Sequence, residues 1–535
     1  MPGKRASILV CDDLSPAALE IFRARGFEPV VALKQTEDQL VERVQAGVQA
    51  LVVRSSTRVT RRVIEAASDL RVVGRAGVGV DNVDCDAASE RGVVVMNTPT
   101  GNSTTTAELA IALLLALARH IPRADRITRS GSWEKKALTG SEITGKTLGI
   151  VGLGRIGRIV AERALGLRMQ VLAFDPYLDP KLAAPVPGVE FAALDELCAR
   201  ADFVTLHVPL SDATRNLVSR ERIGLMKKGA RLVNCARGGL VDEAALLEAL
   251  EAGRLAGAAL DVLEEEPPRQ GHPLVGREDV IVTPHLGASS HEAQHAVAVD
   301  VARQICDFFE LGVAHNAVNL PAVGADTLRA LAPWVQLAEK LGAFLAQVTQ
   351  GPLARLELTL AGEITRADTR HLPLALLVGA LRHQGLDAGV NFVNAPIFAR
   401  ERGLELFENR HEEHAMFQSA LEVTSRAANG VSHHVTGTLL GRAALVVEFD
   451  GLRLDLEAQG PLLLTRHADQ PGVVGLLGGV LGRAGVNIRR IELGPRAQGD
   501  GLATGVLALY SEPSAEALAE LRALGPLREV MLVRL

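Results

Sequence analysis

The feature that most restricts what this chain can fold into is a glycine pattern set between a strand and a helix. In TLGIVGLGRIG, Gly152, Gly154 and Gly157 follow a short β-branched apolar run and precede a helical segment. That order suits a dinucleotide. The first glycine permits a tight turn, the second lets backbone approach a pyrophosphate, and the third lets helix and strand pack closely. The helix N-terminus then presents unpaired N–H groups and the positive end of its dipole to the phosphates. Asp175 ends the next apolar run, QVLAF, 18 residues after Gly157. A carboxylate there accepts hydrogen bonds from ribose hydroxyls and repels a 2′-phosphate, so the pattern predicts NAD rather than NADP. A second nucleotide pattern lies upstream, where Gly140, Gly145, Lys146 and Thr147 fit G-x-x-x-x-G-K-T. A triphosphate loop needs a strand before it and a helix after it. Here the polar stretch GSWEKKAL precedes and the strand TLGIV follows, so the segment is read as a turn.

Around this motif the chain alternates strands and helices. ASILVCD, ALVVR, RVVGRAG and VVVMNTP read as buried parallel strands, and STTTAELAIALLLALARH as a long helix capped near Ser103 and apolar nearly all round. After the glycine turn come QVLAF, FVTLHV, RLVNCA, AGAALDV and VIVTPH, which predict an open, doubly wound α/β sheet. The helical stretch HEAQHAVAVDVARQICDFFELG can return to cover the first α/β unit, which would make that domain discontinuous. AVNLPAV, residues 317–323, reads as a linker, and residues 324–456 mix helices and strands without a legible motif. Residues 461–535 follow the order βαββαβ of a ferredoxin-like unit, with a hairpin around PRAQGDG.

Bulk properties exclude several classes. The 535 residues carry a net charge of -6, with no basic run to mark a nucleic-acid partner. The longest apolar stretch, Leu109 to Ala118, is too short to cross a bilayer, and the N-terminus lacks the apolar core of a signal peptide. Five scattered cysteines without a CxxC pair predict neither zinc nor disulfides, and a reduced cytoplasm is the expected compartment. HEEH, at His411–His414, lacks the spacing of a zinc helix and is read as a solvated face; no metal is expected.

Three polar groups fall at the C-terminal ends of strands in the second sheet, where open α/β sheets bind ligands. Arg237 follows RLVNCA, Glu266 lies in LEEEPP past AGAALDV, and His285 ends VIVTPH. Oxidation of a 2-hydroxy acid needs a cation for the carboxylate, a base for the hydroxyl proton, and an acid to orient that base. Arginine, histidine and glutamate supply these in turn, although spacing alone leaves Glu264 and Glu265 as alternatives to Glu266.

At these residues the chain resembles the D-isomer-specific 2-hydroxyacid dehydrogenases, on the strings GLGRIG, NCARGGLVDE, ALDVLEEEPP and TPHLGASS. The resemblance implies Arg237, Glu266 and His285 as the catalytic set. It also implies a Rossmann-type NAD domain (101–285) inserted in a flavodoxin-like substrate domain (1–100 and 286–318). VRSSTRVT, GRAGVGVDNVD and NTPTGNS look like the substrate-side loops of the branch that oxidises a phosphorylated 2-hydroxy acid in L-serine synthesis. By that likeness Arg54, Ser55, Arg75, Val78 and Asn102 would line the substrate pocket. NAD would meet Gly152, Gly154, Arg155, Ile156, Gly157, Asp175, Val208, Cys235, Ala236, Asp261 and Gly287. Trp133 resembles a residue packed at a subunit interface, in a homodimer or homotetramer. Residues 319–456 resemble an α+β regulatory domain of the long forms, and 460–535 an ACT domain, in which His467, Asp469 and Asn487 would hold L-serine as effector. A sibling dehydrogenase of unphosphorylated 2-oxo acids, and an NAD-binding corepressor-like module, are the competing readings.

Overall fold

Strands buried on both faces must be apolar on successive residues, and the first half of the chain supplies such runs. The computed structural model describes residues 6–178, 186–386, 389–495 and 501–535. β1 (Ile8–Val10), β2 (Val30–Val31), β3 (Ala50–Val53), β4 (Val72–Arg75) and β5 (Val94–Asn97) form a parallel sheet in the order β2-β1-β3-β4-β5, the flavodoxin-like arrangement. A helix much later in sequence covers this sheet. Ser290 Oγ accepts from the Ala293 N–H (3.1 Å) to start His291–Leu311, and Gly312, at φ 70°, stops it. Val297, Val301 and Ile305 of that helix share a core with Ile8, Val52, Val72 and Met96.

The second sheet holds β6 (Thr147–Val151), β7 (Gln170–Phe174), β8 (Val189–Phe191), β9 (Phe203–Leu206), β10 (Ala230–Asn234), β11 (Leu255–Leu260) and β12 (Val280–Val282). All pair in parallel in the order β12-β11-β10-β9-β6-β7-β8. The winding reverses between β6 and β9, which opens a crevice at their C-terminal ends. The helix Ser103–Ala118 packs with Arg155–Gly166 and the sheet, burying Ala107, Ala110, Leu114 and Leu117. It begins after Asn102, whose side chain makes no capping bond. The loop before β6 is a turn that leads into a strand, so the G-x-x-x-x-G-K-T match cannot hold a triphosphate as a P-loop does.

Residues 316–319 then run antiparallel along β5, with the Val318 N–H on the Val95 carbonyl (2.8 Å). Beyond them, β13 (Leu353–Gly362), β14 (Glu405–His411), β15 (Ser419–Ala427), β16 (Ser432–Leu440), β17 (Ala443–Phe449) and β18 (Leu452–Glu457) build a six-stranded mixed sheet against the helices Ala325–Val348 and Leu372–Arg382. β19 (Pro461–Ala468), β20 (Ile488–Pro495), β21 (Leu502–Leu509) and β22 (Leu527–Arg534) form an antiparallel sheet ordered β20-β21-β19-β22, which is the ferredoxin-like pattern. The tip of the β20–β21 hairpin, residues 496–500, lies outside the described residues. One face of this sheet carries its two helices. The other buries Leu462, Leu464, Val506, Ala508 and Val533 in the same core as Leu337, Leu341 and Phe344 of the Ala325–Val348 helix.

Candidate active site

The glycine turn joins β6 to the helix Arg155–Gly166. Gly152 sits at φ 94°, where an added Cβ would lie 2.6 Å from the His207 carbonyl oxygen. At Gly157 a Cβ would meet the Gly152 carbonyl oxygen at 2.0 Å, so both positions admit only glycine. Gly154 differs: no atom comes within 4 Å of a Cβ placed there. It opens onto the space before the helix N-terminus, which is room a pyrophosphate would use. Asp175, just past β7, accepts from the Leu153 N–H (2.9 Å) and from the Tyr177 N–H (3.0 Å). Its carboxylate is thereby fixed beside the turn, with acceptor capacity left for ribose hydroxyls. These residues fit an NAD molecule.

A cavity of about 420 Å³ opens between the first two sheets. From the first come Arg75, Val78, Gly79, Asp81 and Asn102; from the second, Ile156, Val208, Cys235, Ala236, Arg237, His285 and Gly287. His285 Nδ1 lies 2.8 Å from Glu266 Oε2. Glu266 Oε1 accepts from the Leu263 N–H (3.1 Å), so the acid is held at both ends. Glu264, Glu265 and Glu266 are all exposed, and among the described residues it is Glu266 that bonds His285, so geometry rather than burial distinguishes it from the other two acids. Burial pushes the Glu266 carboxyl upward, but the His285 hydrogen bond and charge, the Leu263 N–H and Arg237 together hold it below the ordinary value.

Asp261, 1% exposed, organises the segment that carries His285. Its carboxylate accepts from Thr283 Oγ1 (2.6 Å), the Leu286 N–H (2.7 Å) and the Gly287 N–H (2.9 Å). Burial outweighs those bonds and raises its pKa. Thr106 Oγ1 adds a bond to the Gly287 carbonyl (2.7 Å) and ties the segment to the Ser103–Ala118 helix. Burial, with the Asp261 charge, also pushes the Cys235 thiol up, so it is a neutral wall of the cavity.

Positive charge gathers on both walls, from Arg237 of the second sheet and Arg75 of the first. Arg237 donates through Nε to Asp81 Oδ2 (2.8 Å) and through Nη1 to the Ala236 carbonyl (2.7 Å). Arg75 is half-buried, and its buried Nε has no partner among the described residues. Burial, then the Arg237 charge, with Arg54 adding to it, pushes its guanidinium down to about 10. A surface salt bridge, the ordinary role for such an arginine, is not what the structure holds. Arg54 and Ser55, expected in the pocket wall, are not among the residues that line the cavity, and Arg54 Nη1 donates to the Asp13 carbonyl (3.1 Å). Val78 accepts at its carbonyl from Asn97 Nδ2 (2.6 Å), and Asn102 lines the cavity with a buried Oδ1 that lacks a partner among the described residues. Arg155 is exposed and reaches the Pro99 carbonyl (3.4 Å).

Sequence reasoning missed two groups here. Asp81, in GRAGVGVDNVD, meets Arg237 only through tertiary folding. His207, just past β9, lines the cavity with an unpartnered Nδ1, and burial pushes its imidazole down to about 4. The available signal was its position after a strand at the sheet's reversal point.

In the ferredoxin-like unit, His467 is buried in β19 and Asp469 is exposed in the turn that follows. Asn487 is not brought to them. His467 pairs opposite Ala503, while Asn487 precedes Ile488, which pairs with Leu509 at the other end of β21. Six residues of strand, about 20 Å, separate the two ends. Trp133 is 77% exposed and is not a core indole. The HEEH run is solvated at His411, Glu412 and Glu413, but His414 turns inward beside Glu422 (3.4 Å). No cluster among the described residues could hold a metal ion, and no single helix among them is long and apolar enough to cross a membrane.

Comparison with known proteins gives the following likenesses. Residues 111–287 match the D-isomer specific 2-hydroxyacid dehydrogenase NAD binding domain, and residues 330–448 the D-3-phosphoglycerate dehydrogenase intervening domain. The D-3-phosphoglycerate dehydrogenase of Methanocaldococcus jannaschii is 41% identical over 529 residues, covering 99% of each chain. That of Bacillus subtilis is 40% identical over 92% of this chain and 93% of its own. Among solved structures, a glyoxylate reductase from Paecilomyes thermophila superposes with a TM-score of 0.55 at 30% identity, over 59% of this chain and 99% of its own. A D-lactate dehydrogenase from Aquifex aeolicus, complexed with NAD and lactic acid, gives 0.51 at 25% identity, over 59% of this chain and all of its own (100%).

Proposed function

This chain belongs to the D-3-phosphoglycerate dehydrogenases, within the D-isomer specific 2-hydroxyacid dehydrogenases, and from that premise we propose how its residues divide the work. The reaction is the NAD-dependent oxidation of D-3-phosphoglycerate to 3-phosphohydroxypyruvate. NAD supplies the hydride acceptor. The glycine turn, the helix behind it and Asp175 would hold that cofactor. Arg237 binds the substrate carboxylate, Arg54 and Arg75 hold phosphate charge, and the Val78 and Asn102 loops close the pocket. His285 takes the hydroxyl proton on Nε2 while Nδ1–H stays on Glu266, which stabilises the imidazolium that forms. The 2.8 Å Glu266–His285 pair, facing Arg237 across one cavity, carries this reading.

Residues 1–100 with 286–318 form the substrate unit in this scheme, 101–285 the NAD unit, 319–456 the intervening unit and 460–535 the ACT unit. L-serine acts as feedback effector at His467, Asp469 and Asn487. Because one chain holds Asn487 at the far end of the sheet, a complete effector site needs two copies, in a homodimer or homotetramer. The enzyme works in the cytoplasm. NADH formation with D-3-phosphoglycerate and with D-glycerate, each with and without L-serine, tests the scheme. Turnover of the phosphorylated acid with a higher kcat/KM, lowered by serine, is expected. Equal kcat/KM for the two acids removes the phosphate-reading role of the arginines; activity unmoved by millimolar serine removes the effector role.

A further inference from the structure

The segment after β3, Arg54-Ser55-Ser56-Thr57, is held from two sides. Asp12, which follows β1 and is only 6% exposed, accepts from the Arg54 N–H and the Thr57 N–H (3.3 Å) through Oδ2, and from Thr57 Oγ1 (2.9 Å) through Oδ1. Asn82, from the loop after β4, donates through Nδ2 to the carbonyls of both Arg54 and Thr57 (2.6 Å each). The two ends of the segment are therefore clamped at their N–H and C=O groups alike. Between them Ser55 and Ser56 are exposed, and neither their backbone N–H groups nor their hydroxyls have a partner among the described residues. Arg54 stands at one end of this row of free donors, close enough for its charge to act on Arg75. Unpaired N–H and O–H donors beside a guanidinium suit a tetrahedral dianion.

We propose that Asp12 and Asn82 are positioning residues that hold the Arg54–Thr57 segment open as the phosphate-reading wall, and so set the preference for a phosphorylated over an unphosphorylated acid. The inference rests on the reading of Arg54 and Ser55 as substrate-side residues. Asp12 makes the role unusually easy to separate from plain electrostatics. A buried carboxylate beside Arg54 repels a phosphate dianion, so if its charge alone mattered, neutralising it would tighten substrate binding. As a clamp it does the opposite: Asp12→Asn keeps the shape, but its amide oxygen is only a neutral acceptor for the N–H groups of Arg54 and Thr57, and its NH2 must reverse the bond to Thr57 Oγ1, so the charge-assisted bonds to the segment are lost. The wall then loses its geometry and binds phosphate less well.

Steady-state kinetics of the full chain at saturating NAD, with D-3-phosphoglycerate and D-glycerate, decide the matter. For D12N the KM for the phosphorylated acid should rise about tenfold, as loss of one or two charge-assisted hydrogen bonds implies. Its kcat, the KM for NAD and the KM for D-glycerate should stay near wild type. N82A, which cuts the other clamp without touching charge, should give the same split. Should D12N fail to fold, N82A and T57V carry the test alone. R54A separates the two layers. If R54A leaves the preference between the acids unchanged, phosphate is read elsewhere and both the substrate-side reading and the clamp fall. If R54A abolishes the preference while D12N, or in its place T57V, and N82A keep it, only the clamp falls. A lower KM for the phosphorylated acid in D12N, or an equal rise for both acids, also overturns it.

Discussion

With Nδ1 held on Glu266 at 2.8 Å, the His285 ring is locked in the tautomer that leaves Nε2 to accept a proton. Removing that base while leaving the dinucleotide turn alone should separate chemistry from cofactor binding. For His285→Ala we expect kcat to fall by about 10² to 10⁴ with the Kd for NAD nearly unchanged, measured by turnover and by titration of nucleotide binding. Unaltered kcat would take His285 out of the mechanism. Glu266→Gln tests the orienting acid. Its carboxyl is held below the usual value chiefly by the His285 contact, against the opposing effect of burial, so its charge is present at neutral pH and is lost only as pH falls below the ordinary carboxylate range. Removing that charge while keeping the shape should lower kcat with the Kd for NAD near wild type. An unchanged kcat would mean that Glu266 does not act through the imidazole. Arg237, Glu266 and His285 were singled out in the sequence as candidates because each lies past a strand at the sheet's ligand-binding end, with the family resemblance alone choosing Glu266 over Glu264 and Glu265. Asp12, Asp81 and His207 were not, because their significance lies in partners or cavity walls far away in sequence, such as Arg237 for Asp81.

At the scale of elements, the turn between β6 and its helix is the part most fully written in local sequence. Its glycines answer to backbone sterics that operate over a few residues, so spacing alone located them. The same sterics separate two roles. A methyl at Gly157 would sit 2.0 Å from the Gly152 carbonyl, whereas one at Gly154 meets nothing in the protein. Gly157→Ala should therefore lower both Tm and NAD affinity. Gly154→Ala should leave Tm within about a degree, because Gly154 has φ -70°, open to any residue. It should nonetheless weaken NAD binding by about tenfold or more, since the methyl occupies the pyrophosphate's approach. Calorimetry and nucleotide titration on the pair check this; a Gly154→Ala enzyme that binds NAD normally would contradict the role given to the turn. The ferredoxin-like unit shows where local pattern runs out. Its βαββαβ order was readable, but which ends of the sheet His467 and Asn487 occupy depends on strand register, fixed by pairing with β21.

For the whole molecule, the shared core of the last two sheets matters as much as the cleft between the first two. Sequence pattern placed a linker at 317–323, yet residues 316–319 pair with β5, and His371 Nε2 and Arg370 Nη2 bond the carbonyls of Pro321 (3.0 Å) and Ala322 (2.7 Å). Backbone and side-chain bonds of that kind have no local signature, so a polar-flanked proline segment reads as loose when it is tied down. The C-terminal part of the chain is therefore joined to β5, whose last residue, Asn97, holds the Val78 loop through its side chain (2.6 Å). Chemistry itself is a property of both halves of the catalytic part, since Arg75 comes from the first sheet and Arg237 and His285 from the second, and all three face one cavity. The central claim is that hydride passes across this cleft from C2 of the substrate to the nicotinamide. Mass spectrometry of the NADH formed from D-3-phosphoglycerate deuterated at C2 tests it directly. The account predicts one deuterium in every reduced nicotinamide, with a slowed single turnover; reduced nicotinamide free of deuterium, or none formed at all, would contradict it.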